Sequence, residues 1–115
     1  MQPIDKNKVQ VIINQFVNED VYIHVETTNG AYSTHIDENF FNASAFIRNV
    51  KIRYERGTIA GEGPYRVGLK IESGWVYGEG LTHYELDEQG RLLMCGIDHN
   101  NKLAIAFEIS KTPFE

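Results

Sequence analysis

Apolar residues recur at intervals of three and four near the start of the chain. Val9, Ile12 and Phe16 fall on one side of a helical turn, and this spacing is typical of an amphipathic helix. Asp5 precedes the stretch, and its carboxylate can accept hydrogen bonds from the free N–H groups of a first helical turn. The pattern predicts a helix over about residues 5–18 whose apolar side packs on the rest of the fold.

After the helix, apolar and polar residues alternate with a period of two. Ile23 and Val25 flank His24, and such alternation is typical of a β-strand with one buried face. Turn-forming residues then recur about every 8–12 residues, as in all-β sandwiches and barrels. Ten glycines suit the bends by which a small sheet closes on itself. We therefore expect one predominantly all-β domain, residues 1–115, with the helix on an antiparallel β-barrel over about residues 20–112.

The pair Asn29–Gly30 lies midway between two alternating segments, and Asn-Gly is the preferred two-residue turn of a β-hairpin. With this pair at the turn, His24 faces His35 across the hairpin. Two histidines and a carboxylate form a known set of ligands for a divalent metal ion. The predicted metal ligands are His24, His35 and Glu26, supported by Asp37 or Tyr22.

A second interpretation of the same hairpin needs no metal. Alternation by itself places polar side chains on the outer face of a hairpin, where they form solvated surface or the wall of a ligand pocket. Spacing along the chain fixes no third ligand beside the two histidines. Both interpretations stay open at this point.

Charge is distributed unevenly along the chain. The net charge of −5 argues against a general nucleic-acid-binding protein, whose affinity depends on neutralising phosphates. Residues 48–70, however, carry six basic side chains and two acidic ones. Such a segment can hold a small anion or an acidic partner, or its charges can lie solvated beside the acidic flanks. With two aromatic residues that follow, the predicted ligand-binding residues are Arg48, Lys51, Arg53, Arg66, Lys70, Trp75 and Tyr77.

Several classes of protein lack their sequence signals here. No apolar run approaches the roughly 20 residues that span a bilayer, and the first residues do not resemble a signal peptide. One cysteine, Cys95, excludes an internal disulfide framework, so we expect a cytoplasmic protein. Phosphate loops, dinucleotide fingerprints and serine elbows are missing from the sequence. We therefore assign no catalytic residue.

Three long stretches resemble a known family. They are DVYIHVETTNGAY, GEGPYRVGLKIESGWVYGEGLTHYELDEQGRLLM and KLAIAFEISKTPF, and they resemble the YojF family of small Bacillus-type proteins. The resemblance implies a β-barrel-like fold and supplies no catalytic residues. Through gene neighbourhood it also implies a link with bacillithiol metabolism and, as a possible partner, a deacetylase of bacillithiol biosynthesis.

These observations support three functional hypotheses. The first is a non-catalytic binding or accessory module for an anionic small molecule or a partner enzyme. The second is an enzyme that uses a divalent metal at the histidine pair, and no other cofactor is expected. The third is a structural homo-oligomer, such as a homodimer, formed through an exposed strand edge or the aromatic surface. We expect no nucleic-acid or membrane partner.

Overall fold

The computed structural model describes residues 1–28 and 43–115. One helix and nine strands lie in this part of the chain. They are β1 (Gln2–Pro3), α1 (Lys6–Gln15), β2 (Val21–Thr28), β3 (Ser44–Ile52), β4 (Arg56–Ala60), β5 (Tyr65–Ile71), β6 (Gly74–Leu81), β7 (His83–Leu86), β8 (Leu92–Ile97) and β9 (Leu103–Ser110).

The predicted N-terminal helix is confirmed, and its start has the predicted cap. The side chain of Asp5 accepts a hydrogen bond of 3.2 Å from the backbone N–H of Lys8. The helix ends at Gln15, earlier than predicted, because Asn18 adopts a φ of 61°. Its N–H donates to the carbonyl of Tyr54 at 2.8 Å, which directs the chain out of the helix and into the first long strand.

The strands form two antiparallel sheets. One has six strands in the order β1-β7-β8-β9-β2-β3, and the other has three in the order β4-β5-β6. β6 lies against β8 and β9, so the sheets stack face to face around a shared core. The all-β class is confirmed. The closed barrel is wrong for the described residues, because these strands divide into two sheets with free edges instead of one continuous sheet.

The core lies between the sheets and beneath the helix. Ile23, Leu69 and Phe107 are buried there, and Val9 and Ile13 bring the apolar side of the helix onto it. The sheets approach so closely that a Cβ on Gly78 would lie 2.1 Å from Cδ2 of Phe107. The inner faces of the described strands are closely packed here, and the two candidate surfaces among the described residues lie on the outer faces.

The described strands give the neighbours of His24, and the predicted hairpin turn and its return strand stay a prediction. β2 lies between β3 and β9, and the positions opposite His24 are Arg48 and Glu108. The predicted residues Asn29, Gly30, His35 and Asp37 lie outside the described residues. Within the described ranges, the helix is too short to cross a membrane.

Candidate functional site

The outer face of the three-stranded sheet carries a set of exposed aromatic and basic side chains. Ile59, Val67 and Leu69 point into the core, so the residues that alternate with them face outwards. The register places Gly68 opposite Tyr77 and Lys70 opposite Trp75. We call this surface the aromatic face; it comprises Arg56, Thr58, Ala60, Arg66, Gly68, Lys70, Trp75 and Tyr77.

Four flat groups form a row on the aromatic face. The rings of Trp75 and Tyr77 stack with centroids 5.4 Å apart and planes inclined by 9°. The guanidinium carbon of Arg56 lies 5.3 Å from the Trp75 ring, and that of Arg66 lies 5.5 Å from the Tyr77 ring. Cation–π contacts of this kind hold both arginines in place.

A glycine allows this row to lie close to the sheet. A Cβ on Gly68 would lie 2.7 Å from Cε1 of Tyr77, so any larger residue would push the ring away. Trp75 remains 40% exposed and Tyr77 53% exposed. The row is thus ordered by its own contacts while still offering much of its surface to a partner.

The charges around the aromatic face are predominantly positive. Lys70 Nζ lies 3.6 Å from Glu55 Oε1, and Arg66 Nε lies 3.4 Å from Glu79 Oε2. Such exposed pairs contribute little energy and are screened by salt. Arg56 forms no ion pair with any described residue, so its charge is available to a ligand.

A second concave surface lies on the outer face of the six-stranded sheet. It depends on a β-bulge, because Ile23 pairs with Val50 while His24 pairs with Arg48. The extra residue is Asn49, at a φ of 54°, a conformation that asparagine tolerates better than most residues. The bulge therefore turns the Asn49 side chain towards the segment that follows β9.

Asn49 fixes this segment through two hydrogen bonds. Its Nδ2 donates to the carbonyl of Phe114 at 2.5 Å, and its Oδ1 accepts from the N–H of Phe114 at 2.6 Å. The amide thus bonds to Phe114 as a neighbouring backbone would. The cavity beneath the segment, of about 480 Å³, is the tail pocket; its lining is His24, Arg48, Gln89, Arg91, Glu108, Thr112, Pro113, Phe114 and Glu115.

His24 is the buried polar group of the tail pocket. It is 8% exposed, its Nε2 lies 3.6 Å from Glu26 Oε2, and its ring centroid lies 6.2 Å from that of Phe114. Its Nδ1 has no hydrogen-bond partner among the described residues. An unpaired buried polar atom costs about 1–3 kcal/mol, so His24 is unusual in an otherwise well-satisfied fold.

Arg91 enters the pocket from the turn between β7 and β8. Its Nε donates to Asp87 Oδ2 at 2.6 Å, and its guanidinium carbon lies 5.8 Å from the Phe114 ring. The Asp87 carboxylate also accepts from the backbone N–H groups of Gln89 and Arg91. Burial tends to raise the pKa of Asp87, but these hydrogen bonds outweigh it and hold the pKa below its usual value.

Glu108 brings a carboxyl group close to these cations. Burial raises its pKa, the positive charges of His24 and Arg91 act in the opposite direction, and Glu26 and Asp87 raise it further. The net effect is a raised pKa, because removal from water disfavours the charged form. The pocket therefore contains an acid that takes up a proton more readily than a surface glutamate.

The structure divides the predicted ligand-binding residues between separate surfaces. Arg66, Lys70, Trp75 and Tyr77 share the aromatic face, whereas Arg48 lies in the tail pocket. The remaining two are Lys51, in β3, and Arg53, just after β3. Arg53 forms an ion pair with Asp20 at 3.0 Å. Neither the aromatic face nor the tail pocket therefore includes Lys51 or Arg53.

The predicted metal ligands are only partly described. His24 and Glu26 are neighbours on one face of β2, while His35 lies outside the described residues. In residues 1–28 and 43–115 no three side chains form a group that could hold a metal ion. The metal site stays a prediction.

Comparison with known proteins shows the family of this chain. A family model described as "Protein of unknown function (DUF1806)" matches residues 3–114. The chain belongs to the DUF1806 family. It is 50% identical over 114 residues to the uncharacterized protein YojF of Bacillus subtilis strain 168. The alignment covers 99% of this chain and 98% of that protein. The predicted resemblance to YojF is confirmed.

The fold agrees with a solved structure of the DUF1806 family. The crystal structure of Bacillus subtilis YojF superposes with a TM-score of 0.85 at 46% identity, covering 99% of this chain and 96% of that chain. These relatives assign no role to individual residues. The function of this DUF1806 protein must therefore be argued from its own surfaces.

Sequence reasoning missed the residues that complete both surfaces. Arg56 lies in the basic segment and is opposite Lys70 in the neighbouring strand. Pairing of these consecutive strands could therefore have predicted that Arg56 belongs to the aromatic face. Arg91, Glu108 and Phe114 come from a turn, a distant strand and the segment after β9. No local pattern in this sequence predicts that these three residues lie together.

Proposed function

We propose that this protein is a non-catalytic binding module whose aromatic face docks an acidic protein partner. The observation that carries the proposal is the exposed row of Arg56, Trp75, Tyr77 and Arg66. Tryptophan, tyrosine and arginine are the residues most enriched among the energetic hot spots of protein interfaces. Here they are contiguous and ordered before a partner arrives, which lowers the entropy lost on binding.

The shape of the surface favours a protein over a small molecule. Small-molecule sites are concave and enclose most of their ligand, whereas the aromatic face is the outer surface of a sheet with half-exposed rings. A protein surface can cover the whole row at once. Covering it also removes water from the cation–π contacts, which strengthens them.

The charge of the surface favours an acidic partner. Arg56, Arg66 and Lys70 provide three positive charges, and the nearest carboxylates are exposed and only loosely paired with them. Carboxylates of a partner can bind both arginines in the bidentate geometry that guanidinium groups prefer. Nucleic acid is disfavoured because the chain as a whole carries a net charge of −5.

The first experiment identifies the partner in cells. A photo-crosslinking amino acid replaces Tyr77 in the full chain, and the matched control carries it at Leu86, an exposed apolar position on β7. We expect a discrete adduct with an acidic protein from position 77 and none from position 86. The deacetylase of bacillithiol biosynthesis, suggested by the family resemblance, is the first candidate.

The second experiment measures affinity with the purified partner. Trp75→Ala should weaken binding by about 30-fold or more, which corresponds to about 2 kcal/mol for a hot-spot residue. Arg56→Glu should mainly slow association at low salt, and Leu86→Ala should change nothing. An adduct with a second copy of this chain, or equal affinity of Trp75→Ala and Leu86→Ala, would contradict the proposal.

The metal-dependent enzyme and the homo-oligomer remain separate predictions. Elemental analysis of untagged protein tests the first, and the mass of the protein in solution tests the second. The metal site does not depend on the aromatic face, whereas a homo-oligomer formed through that face would compete with the docking partner, and the crosslinked product distinguishes the two.

A further inference from the structure

A second binding surface is independent of the aromatic face. The tail pocket lies on the outer face of the six-stranded sheet, where His24 and Glu108 are cross-strand neighbours. The aromatic face belongs to the other sheet, and the two sheets pack through their inner faces. The surfaces therefore lie on opposite sides of the molecule, and each can be changed without altering the other.

Each of the two arginines of the pocket uses one of its N–H groups in a hydrogen bond to another described residue. Arg48 donates through Nη2 to the main-chain oxygen of Glu115, and Arg91 donates through Nε to Asp87. A guanidinium group has five N–H donors in a planar fork, so each arginine can still donate to a ligand. Two such groups around one cavity match the several acceptor oxygens of a carboxylate or a phosphate.

His24 supplies a second, independent sign of a ligand. It lines the cavity, is more than nine-tenths buried, and has no hydrogen-bond partner for its Nδ1 among the described residues. Folded proteins rarely bury such a group without a use for it.

The size and polarity of the cavity define the class of ligand. A volume of about 480 Å³ lies within the usual range of small-molecule sites. Apart from Pro113 and the ring of Phe114, the lining side chains are polar or charged. A hydrophilic molecule with one or two oxyanion groups fits this lining, whereas an apolar ligand would leave its donors unpaired.

From these observations we infer that the tail pocket binds a small hydrophilic oxyanion through Arg48, Arg91 and His24. The anion lies beside the Phe114 ring, and Asn49 holds the segment that covers it. This goes beyond the docking function and does not rest on it. Carboxylates and phosphates share the required chemistry, and the experiment distinguishes them.

Glu108 makes this binding depend on pH. The groups facing its carboxyl are His24 and Glu26 on β2 and Asp87 and Arg91 around the β7–β8 turn; Arg48 and Glu115 complete the charged lining. When Glu108 is ionised it repels an anion, and when it is protonated it can donate a hydrogen bond instead. Affinity should therefore rise as the pH falls and Glu108 becomes protonated.

The test is calorimetric titration of the full chain with inorganic phosphate and, separately, with citrate. We expect saturable binding of at least one probe, with higher affinity at the acid end of a pH series than at neutral pH. Citrate binding alone would indicate a carboxylate ligand, and phosphate binding alone a phosphoryl ligand. Failure of both to bind with a Kd below about 10 mM would overturn the inference.

The variants locate the site. Arg48→Gln should weaken binding by about tenfold or more, since a hydrogen bond to a charged group is lost. Arg53→Gln is the matched control, because Arg53 is an exposed arginine outside the pocket that pairs with Asp20. Equal affinity of these two variants would refute the site.

Two further variants separate this site from the docking surface and from loss of structure. Glu108→Gln should keep the affinity seen at low pH and flatten its decline towards neutral pH. Trp75→Ala should leave anion binding unchanged, because it alters only the aromatic face. An unchanged pH profile in Glu108→Gln would remove Glu108 from the site.

Discussion

A close approach between the backbones of the two sheets provides a sharp test of the fold. A Cβ on Gly96 in β8 would lie 2.1 Å from the carbonyl oxygen of Gly80 in β6 and 2.6 Å from Cγ2 of Ile105. Gly96 has no left-handed φ, so alanine can adopt its conformation. The effect of Gly96→Ala is therefore steric, and it arises mainly from a backbone group that has no alternative rotamer.

The size of the effect follows from this geometry. Ordinary contact of a Cβ begins near 3.4 Å, so the atoms must move apart by about 1.3 Å. Overpacking a core usually costs about 1–3 kcal/mol, and we expect the upper end because two strands must separate. For 115 residues the unfolding entropy is about 0.24 kcal/mol/K, so a loss of 3 kcal/mol lowers Tm by about 12 °C.

Gly74→Ala is the matched control. A Cβ on Gly74 would meet nothing within 4 Å, and its φ is also not left-handed. Alanine there should leave stability unchanged or raise it by about 0.4–1 kcal/mol, since it reduces the freedom of the unfolded chain.

Urea unfolding followed by fluorescence measures both variants. Trp75 is the only tryptophan and reports on the three-stranded sheet. We expect Gly96→Ala to have a lower midpoint with an unchanged slope, because the surface exposed on unfolding is the same. Equal midpoints for Gly96→Ala and Gly74→Ala would refute the close approach of β6 and β8.

Three further predictions concern the helix, the pH dependence of stability and the tail. Tyr54→Phe removes a buried hydroxyl that donates to the carbonyl of Ile13 at 2.6 Å, and should cost about 1 kcal/mol in thermal unfolding; no loss relative to wild type would show that the bond is not needed. Burial raises the pKa of Glu108 in the native state above its unfolded-state value of about 4.3. Between these two pKa values the native state binds more protons than the unfolded state. Stability therefore falls as the pH rises from the unfolded-state pKa through the native-state pKa. Glu108→Gln should flatten that decline in urea midpoints measured across the range, and an unaltered slope would contradict the assignment. Asn49→Gly preserves the φ of 54° but removes both bonds to Phe114; we expect faster proteolysis after β9 and weaker anion binding, and unchanged rates would mean that other contacts hold the segment.

Local features were enough to predict the helix and part of the aromatic face. The helix follows from its apolar spacing and from Asp5, whose side chain caps the first turn. Arg66, Trp75 and Tyr77 could be grouped because β5 and β6 are consecutive strands joined by a short turn. Neighbouring strands of a meander pair with each other, so their outward residues converge without help from the rest of the chain.

Pairing between strands that are far apart in the sequence determined the neighbours of β2, which the sequence pattern could not predict. Among the described strands His24 lies between Arg48 and Glu108, and Glu108 is far along the chain. Period-two alternation identifies which residues of a strand face the core, and it carries no information about which strand lies alongside. For the same reason it could not distinguish one closed barrel from two stacked sheets.

The sequence by itself determined the all-β class, the capped N-terminal helix and the basic, aromatic composition of one surface. Only the tertiary structure assembled the tail pocket, because His24, Arg91, Glu108 and Phe114 come from four separate segments. Their proximity results from the packing of the whole chain around one core. Burial in that packing raises the pKa of Glu108 and leaves Nδ1 of His24 without a hydrogen-bond partner among residues 1–28 and 43–115.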